Sequence, residues 1–316
     1  MKKRLLLLLL PALLAAIPVL LSADNSQKAV LITGASSGLG RSMAELLASE
    51  GLFVYAGARK QADMDELNEI KNIQAVRLDV TMQSDIDAAV KTITEAGRGL
   101  YGLINNAGVV VLGQLIEMDE EDFHFQMDVN VYGPYRVTRA FAPLIIESKG
   151  RISTISSISG FLAGPMFGPY SMSKHAMEAY GDSLAAEMER FGVQVSLIEP
   201  GAYNSSIGKN MVQRMQKRGQ NVEDSLFAEE MKGMLEWLKK FDGAAGDPAD
   251  VSRAALHAMT SETPKHRYMV VPEQRQADIT VRQAMTELVQ INQQQAHSID
   301  RDTLVKMLDE LMAAYP

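Results

Sequence analysis

A chain of 316 residues with a formal net charge of −8 could form one large or two small domains, and it is too acidic to offer a footprint for a phosphate backbone, which excludes nucleic acid as a partner. It contains no cysteine, so disulfides, thiolate metal sites and a cysteine nucleophile are excluded, and its five histidines include no His-x-x-x-His pair, so no metal centre is expected. With no linker-like stretch or internal repeat to divide it, a single α/β unit is expected.

Residues 5–21 form an uninterrupted apolar run behind Lys2, Lys3 and Arg4. This is a targeting or anchoring segment, set apart from the fold as residues 1–25. It is short for a span and lacks a clean small-x-small cleavage site, since Leu21 stands at −3 if cleavage follows Ala23. An uncleaved anchor, a cleaved signal and a helix lying in one leaflet all remain open. If it spans, the basic start stays on the cytoplasmic side and the rest of the chain crosses.

The catalytic unit is expected over residues 26–273. Residues 29–33 (AVLIT) read as a short β-branched strand of the kind buried on both faces in a parallel sheet, and 41–50 as a helix closed by Gly51. The alternation recurs, with strands at 52–58, 73–78, 101–104, 151–155, 194–198 and 267–271 and helical stretches between most of them. About seven strands alternating with helices define a doubly wound Rossmann-type parallel sheet. Residues 203–245 interrupt the rhythm with polar helical segments rich in methionine (Met211, Met215, Met231, Met234). They follow a strand end, where substrates enter, so this insert reads as a substrate lid; surface helices using Met as core filler are the alternative. Residues 274–316 form a helical extension, a Gln-rich helix and then an amphipathic one at 303–313, of unassigned role.

The motifs sit at strand ends. In LITGASSGLG, Gly34 permits a tight turn, Gly38 lets the backbone approach a pyrophosphate and Gly40 allows close helix packing, so the phosphates of a dinucleotide rest on the helix N-terminus. The second strand ends at Ala58-Arg59, where an NAD enzyme usually carries a carboxylate. Arg59 would instead meet a 2′-phosphate, which favours NADP over NAD, although a solvated surface arginine is the plain alternative and Ser37 adds no charge. Tyr-x-x-x-Lys/Arg occurs four times, but only Tyr170/Lys174 opens a helix after a strand ending in Ser156-Ser157. One helical turn places the ammonium beneath the phenol, where it is expected to draw the phenol pKa toward neutrality.

The run 33–40 (TGASSGLG), Asn105-Asn106-Ala107-Gly108, Ser157, Tyr170-x-x-x-Lys174 and Pro200-Gly201 resemble the short-chain dehydrogenase/reductase (SDR) family over about residues 28–272. The resemblance implies that Tyr170 exchanges a proton with the carbonyl or alcohol oxygen, Lys174 also binds the nicotinamide ribose, Ser157 hydrogen-bonds the reacting oxygen and Asn130 holds a water in a proton relay. It implies cofactor contacts by Gly34, Ser36, Ser37, Gly38, Leu39 and Gly40, by Arg59, by Asp79 and Val80 at the adenine, by Asn106, Ala107 and Gly108, and by Pro200 and Gly201. Ser205 stands where the family often has a carboxamide-binding Thr. The stretch 170–201 is most similar to the retinol and 17β-hydroxysteroid dehydrogenase branch, which implies a lipophilic alcohol, ketone or aldehyde. The family also implies a homodimer or homotetramer built on helices near 121–147 and 169–190.

Two other classes fit the residues less well. A non-catalytic dinucleotide sensor or scaffold of this fold typically loses the Tyr or the Lys, and this chain has both. Epimerases and dehydratases on an extended form of the fold generally have two residues between the second and third glycines, where Gly38 and Gly40 enclose one.

Overall fold

The computed structural model describes residues 27–205, 207–219, 222–241 and 246–315. The apolar run at 5–21 therefore lies outside the described residues, as do parts of the insert.

Seven strands form one parallel sheet: β1 (Ala29–Ile32), β2 (Phe53–Ala58), β3 (Ile73–Arg77), β4 (Gly102–Asn105), β5 (Arg151–Ile155), β6 (Gln194–Pro200) and β7 (Arg267–Val270), in the order β3-β2-β1-β4-β5-β6-β7. Strand β1 pairs with both β2 and β4, so the chain reverses its direction of growth there and the loops after β1 and β4 diverge. That is the topological switch point, where the carboxyl edge of such a sheet opens a crevice. The expected doubly wound fold and its seven strands are present, each within a residue or two of its expected limits.

Alternation along β1 explains the two helical layers. Val30 and Ile32 feed one buried cluster, with Met43, Ala44 and Leu47 of α1 (Gly38–Ser49), Met64 and Leu67 of α2 (Gln61–Asn68) and Val251, Ala255 and Met259 of α9 (Ala249–Thr260). Ala29 and Leu31 feed the other, with Ile86, Ala89 and Ile93 of α3 (Gln83–Glu95), Val137, Phe141 and Ile145 of α5 (Gly133–Glu147) and Met188 of α6 (Gly168–Glu189). Successive side chains of a strand point to opposite faces, so an unbroken apolar strand must be covered on both.

The stretch at 121–147 is not one helix. Helix α4 (Glu120–Met127) meets α5 through a π-helical turn at Asp128–Tyr132, and Asn130 sits on that turn. Helix α1 starts at Gly38, three residues earlier than the sequence suggests, so its first turn contains the second and third motif glycines.

The insert folds as α7 (Ile207–Lys217), a 3-10 turn (Val222–Asp224) and α8 (Ala228–Phe241). After β7 come α10 (Gln274–Asn292) and α11 (Arg301–Ala314). Among the described residues no helix is long and apolar enough to cross a membrane.

Candidate active site

The turn after β1 is held by side chains from the turn after β4. Thr33 Oγ1 accepts from the backbone N–H groups of Asn106 and Ala107, both at 3.0 Å, and Asn106 Nδ2 donates to the carbonyls of Thr33 at 2.8 Å and Gly34 at 3.1 Å. Gly34 has φ +66°, and a Cβ there would stand 2.9 Å from Ala107 Cα. At Gly40 a Cβ would strike the Gly34 carbonyl and come within 2.5 Å of Asn106 Nδ2. Asn106 and Ala107 thus act first as a clamp between the two loops, a role the motif alone does not reveal.

This cradle fits a dinucleotide phosphate. Ser37 precedes α1 in extended conformation without a side-chain capping bond, and the first turn carries no acidic residue. The amide groups at the helix start therefore face the crevice with the positive end of the helix dipole behind them. Ser36 and Leu39 are half-buried in the same turn, with Leu39 packed on the core below.

On the other side of the turn, Arg59 follows β2 directly, is 68% exposed in its side chain and lies 3.7 Å from Asp79 Oδ2. Asp79 Oδ1 accepts from the Thr81 amide at 3.0 Å and hydroxyl at 2.7 Å. Burial alone would raise the Asp79 carboxyl, but the Thr81 hydrogen bonds and the Arg59 charge prevail and hold it below its ordinary value. Val80 is buried against Gly133, where a Cβ would come within 2.7 Å of its Cγ2. Gly108 lies near the Asn130 amide oxygen, which a Cβ on the glycine would approach to 3.6 Å.

The three reactive side chains converge at the ends of β5 and α6. Lys174 is buried and its Nζ donates to the Ile155 carbonyl at 2.8 Å while lying 5.6 Å from the centre of the Tyr170 ring. Ser157 is near enough to the Tyr170 phenol to bear on its pKa, and its Oγ donates to the Pro200 carbonyl at 3.3 Å and accepts from the Ser159 amide at 3.1 Å. Asn130 does not touch the Tyr170 side chain. Its Nδ2 donates to Ser173 Oγ at 3.1 Å and to the Val109 carbonyl at 3.0 Å, its Oδ1 accepts from the Val109 amide at 2.8 Å, and Ser173 donates in turn to the Tyr170 carbonyl at 2.7 Å.

The Tyr170 phenol is not drawn toward neutrality as its spacing from Lys174 suggests. Burial pushes the Tyr170 phenol above its ordinary value, only partly offset by the Ser157 side chain. Burial also pulls Lys174 down to about 8, with the Glu178 carboxylate opposing it. The desolvation of both groups outweighs the attraction that their one-turn spacing suggests, so in this structure the phenol stays protonated at neutral pH.

Above Tyr170 lies an apolar cover. Val110, Leu112 and Met211 form a buried cluster against which Tyr170, Phe167, Ile207, Val212 and Met234 pack, so helix α7 of the insert closes over the phenol. Helix α7 is tied to α4 by Arg214, whose Nη2 lies 2.5 Å from the buried Asp122 carboxylate. Met215 lines a small gap beside Met211, and Met231 faces a wider cleft with Leu112, Gln114 and Met118. Ser205 does not join the reactive group; it is exposed, with its Oγ 3.4 Å from the Ile207 amide at the start of α7.

Sequence reasoning missed Ser173, which has no motif signal beyond its place before Lys174. It also missed Gln276. From the first turn of α10 its Oε1 accepts from the Ala202 amide at 2.9 Å and occupies the space that a side chain on Gly201 would need. The extension thus braces the Pro200-Gly201 loop.

Comparison with known proteins agrees with this geometry. The sequence profile of the family described as "short chain dehydrogenase" matches residues 28–217. The mitochondrial D-beta-hydroxybutyrate dehydrogenase of Mus musculus is 33% identical over 265 residues, covering 77% of this chain and 76% of that protein. A 3beta-hydroxysteroid dehydrogenase of Caenorhabditis elegans is 36% identical over 219 residues, covering 65% of this chain and 56% of that protein. The crystal structure of a short-chain dehydrogenase from Streptomyces avermitilis superposes with a TM-score of 0.70 at 28% identity, covering 86% of this chain and 99% of that one. The chain belongs to the short-chain dehydrogenase/reductase family. It is an oxidoreductase that acts on CH–OH groups of small molecules with a nicotinamide dinucleotide.

The clamp makes the cradle testable. Gly40→Ala is expected to cost about 1–3 kcal/mol of stability, as overpacking does, and to weaken dinucleotide binding. Denaturant unfolding with a parallel cofactor titration checks both.

Proposed function

We propose that the protein is an NADP(H)-dependent reductase or dehydrogenase of lipophilic carbonyls and alcohols. The observation that carries the reading is the apolar cover of Val110, Leu112, Phe167, Met211 and Met234 against the face of Tyr170. A small hydroxy acid would need a cation beside the phenol; on that helix Arg214 is committed to Asp122, and Lys209, the charged residue nearest in sequence to Met211, is exposed. An apolar chain loses water against the cover while its polar oxygen meets the two hydroxyls.

The bound nicotinamide supplies the hydride in reduction and accepts it in oxidation. Gly34, Ser36, Ser37, Gly38, Leu39 and Gly40 hold the pyrophosphate, and Asp79, Val80, Asn106, Ala107 and Gly108 line the adenosine side. Pro200 and Gly201 border the nicotinamide. The raised pKa of Tyr170 suits the reductive direction, since the protonated phenol donates to the carbonyl oxygen while Ser157 donates a second hydrogen bond to it. Lys174 holds the ribose and stabilises the phenolate that forms. Asn130, linked through Ser173 to the Tyr170 backbone, serves the return of a proton from water.

Arg59 supports NADP over NAD, because it is exposed at the end of β2 and, among the described residues, pairs with Asp79 at 3.7 Å, a contact that a 2′-phosphate can replace. The run at 5–21 is proposed to attach the protein to a membrane. Exposed Tyr132, Tyr135 and Met172 on the helices named for assembly favour a homodimer or homotetramer.

Tyr170→Phe is expected to lower turnover of lipophilic ketones by roughly 10²–10⁴-fold or more with NADPH affinity retained; equal turnover would sink the acid/base assignment. Loss of the charge-assisted contact in Arg59→Ala should weaken NADPH binding about 10–100-fold and leave NADH binding little changed, whereas equal losses would contradict the cofactor preference. Deleting residues 1–25 is expected to release an active enzyme from membranes in a sedimentation assay, and continued co-sedimentation would refute attachment through that run.

A further inference from the structure

Beneath the reactive residues lies a group of charges that the proposed reaction does not use. Glu178 stands one helical turn after Lys174 on α6, and Glu199 is the residue of β6 immediately before Pro200, whose carbonyl Ser157 touches; both are buried. Arg267 Nε lies 3.3 Å from Glu178 Oε2 and 3.4 Å from Glu199 Oε1. Its Nη2 lies 2.7 Å from Asp182 Oδ1, and His266 Nε2 lies 2.8 Å from the same oxygen. One guanidinium therefore serves three carboxylates, of which Asp182 reaches solvent with a side chain 54% exposed. Glu178 is packed onto the turn after Ser157, where a Cβ on Gly160 would stand 2.8 Å from its Cγ.

Glu178 and Glu199 meet at one cation, since Arg267 Nε lies within 3.3–3.4 Å of an oxygen of each; Glu178 Oε1 is buried with no hydrogen-bond donor, and Glu199 Oε1 has that long guanidinium contact in place of a hydrogen bond. Two buried carboxylates that share one cation cannot both ionise cheaply, and a proton between them gives Glu178 Oε1 a partner and leaves one negative charge to the pair.

We infer that Glu178 and Glu199 share one proton, and that the single negative charge left on Glu178 keeps the buried Lys174 an ammonium. Glu178 is thus a positioning residue for the proton transfer, and the inference rests on the proposed roles of Tyr170 and Lys174. The charged groups facing Glu178 are Lys174 and Asp182 from its own helix, Glu199 from β6 and Arg267 from β7, with His266 reached through Asp182; the turn after β5 contributes only Gly160. Burial and then the Glu178 charge hold the Glu199 carboxyl well above the usual carboxylate range. At Lys174, the Glu178 carboxylate opposes the effect of burial.

The test compares the pH dependence of kcat for carbonyl reduction by NADPH in the full chain and in Glu178→Gln, Glu178→Asp and Glu199→Gln. Glu178→Gln moves the charge of the pair from beside Lys174 onto Glu199, which lowers the pKa of Lys174 and Tyr170 alike, so whichever proton leaves first, the alkaline limb moves to lower pH by up to about one unit. Glu178→Asp keeps the charge and restores the limb toward wild type. Glu199→Gln mimics the protonated acid and shifts the limb markedly less than Glu178→Gln. Infrared spectroscopy of the wild-type protein at neutral pH should show a protonated carboxylic acid band that is absent from Glu199→Gln. Coincident limbs in wild type and Glu178→Gln overturn the inference, as does absence of the acid band from the wild type. The band needs no turnover, so it still decides whether the proton is shared if Glu178→Gln does not fold or if no carbonyl is reduced, an outcome that contradicts the proposed function instead.

Discussion

The hydrogen bond from the buried Lys174 ammonium to the Ile155 carbonyl joins the end of β5 to the start of α6, and the geometry of the reactive group depends on it. A lysine so deep in the protein is costly to keep charged, and burial pulls it down to about 8. The bond fixes the helix against the strand end. Tyr170 stands one turn earlier on the same helix, beside Ser157, which follows the end of the strand.

The rest of the site follows from the reversal in strand order. Because β1 lies between β2 and β4, the loops after β1 and β4 meet side by side, and the Thr33 and Asn106 bonds lock them together. That lock leaves no room for a side chain at Gly40 and presents the start of α1 to an anion. On the far side, β6 ends at Pro200, and α10 braces the following loop through Gln276. The crevice is therefore walled by residues from widely separated parts of the chain, and the insert covers it with Met211 and its apolar neighbours.

Much of this is legible in the sequence. Short β-branched runs followed by helices can satisfy their backbone and bury both faces only as a covered parallel sheet, and the glycines of the 34–40 turn stand where backbone must come close to backbone. Tyr170 and Lys174 could be singled out from three incidental pairs because they alone follow a strand ending in serines. What stayed hidden depends on tertiary depth or on long-range contact. The sign of the Tyr170 shift is set by burial, which spacing along a helix does not report. The Gln276 brace spans 74 residues of sequence. Glu178 and Glu199 look in sequence like ordinary surface acids, and only the packing of α6 on β6 brings them together. The π-helical turn that carries Asn130 likewise has no signature in the apolar periodicity.

The central claim is that a hydride donor held on the 34–40 turn and the hydroxyls of Tyr170 and Ser157 act on one carbon–oxygen bond beneath an apolar cover. Mass spectrometry of the alcohol formed from a lipophilic ketone with NADPH deuterated at the transferring position tests it most directly. The account predicts one deuterium on the carbinol carbon, in a single configuration. Alcohol formed without the label, or with the label in both configurations, would contradict it.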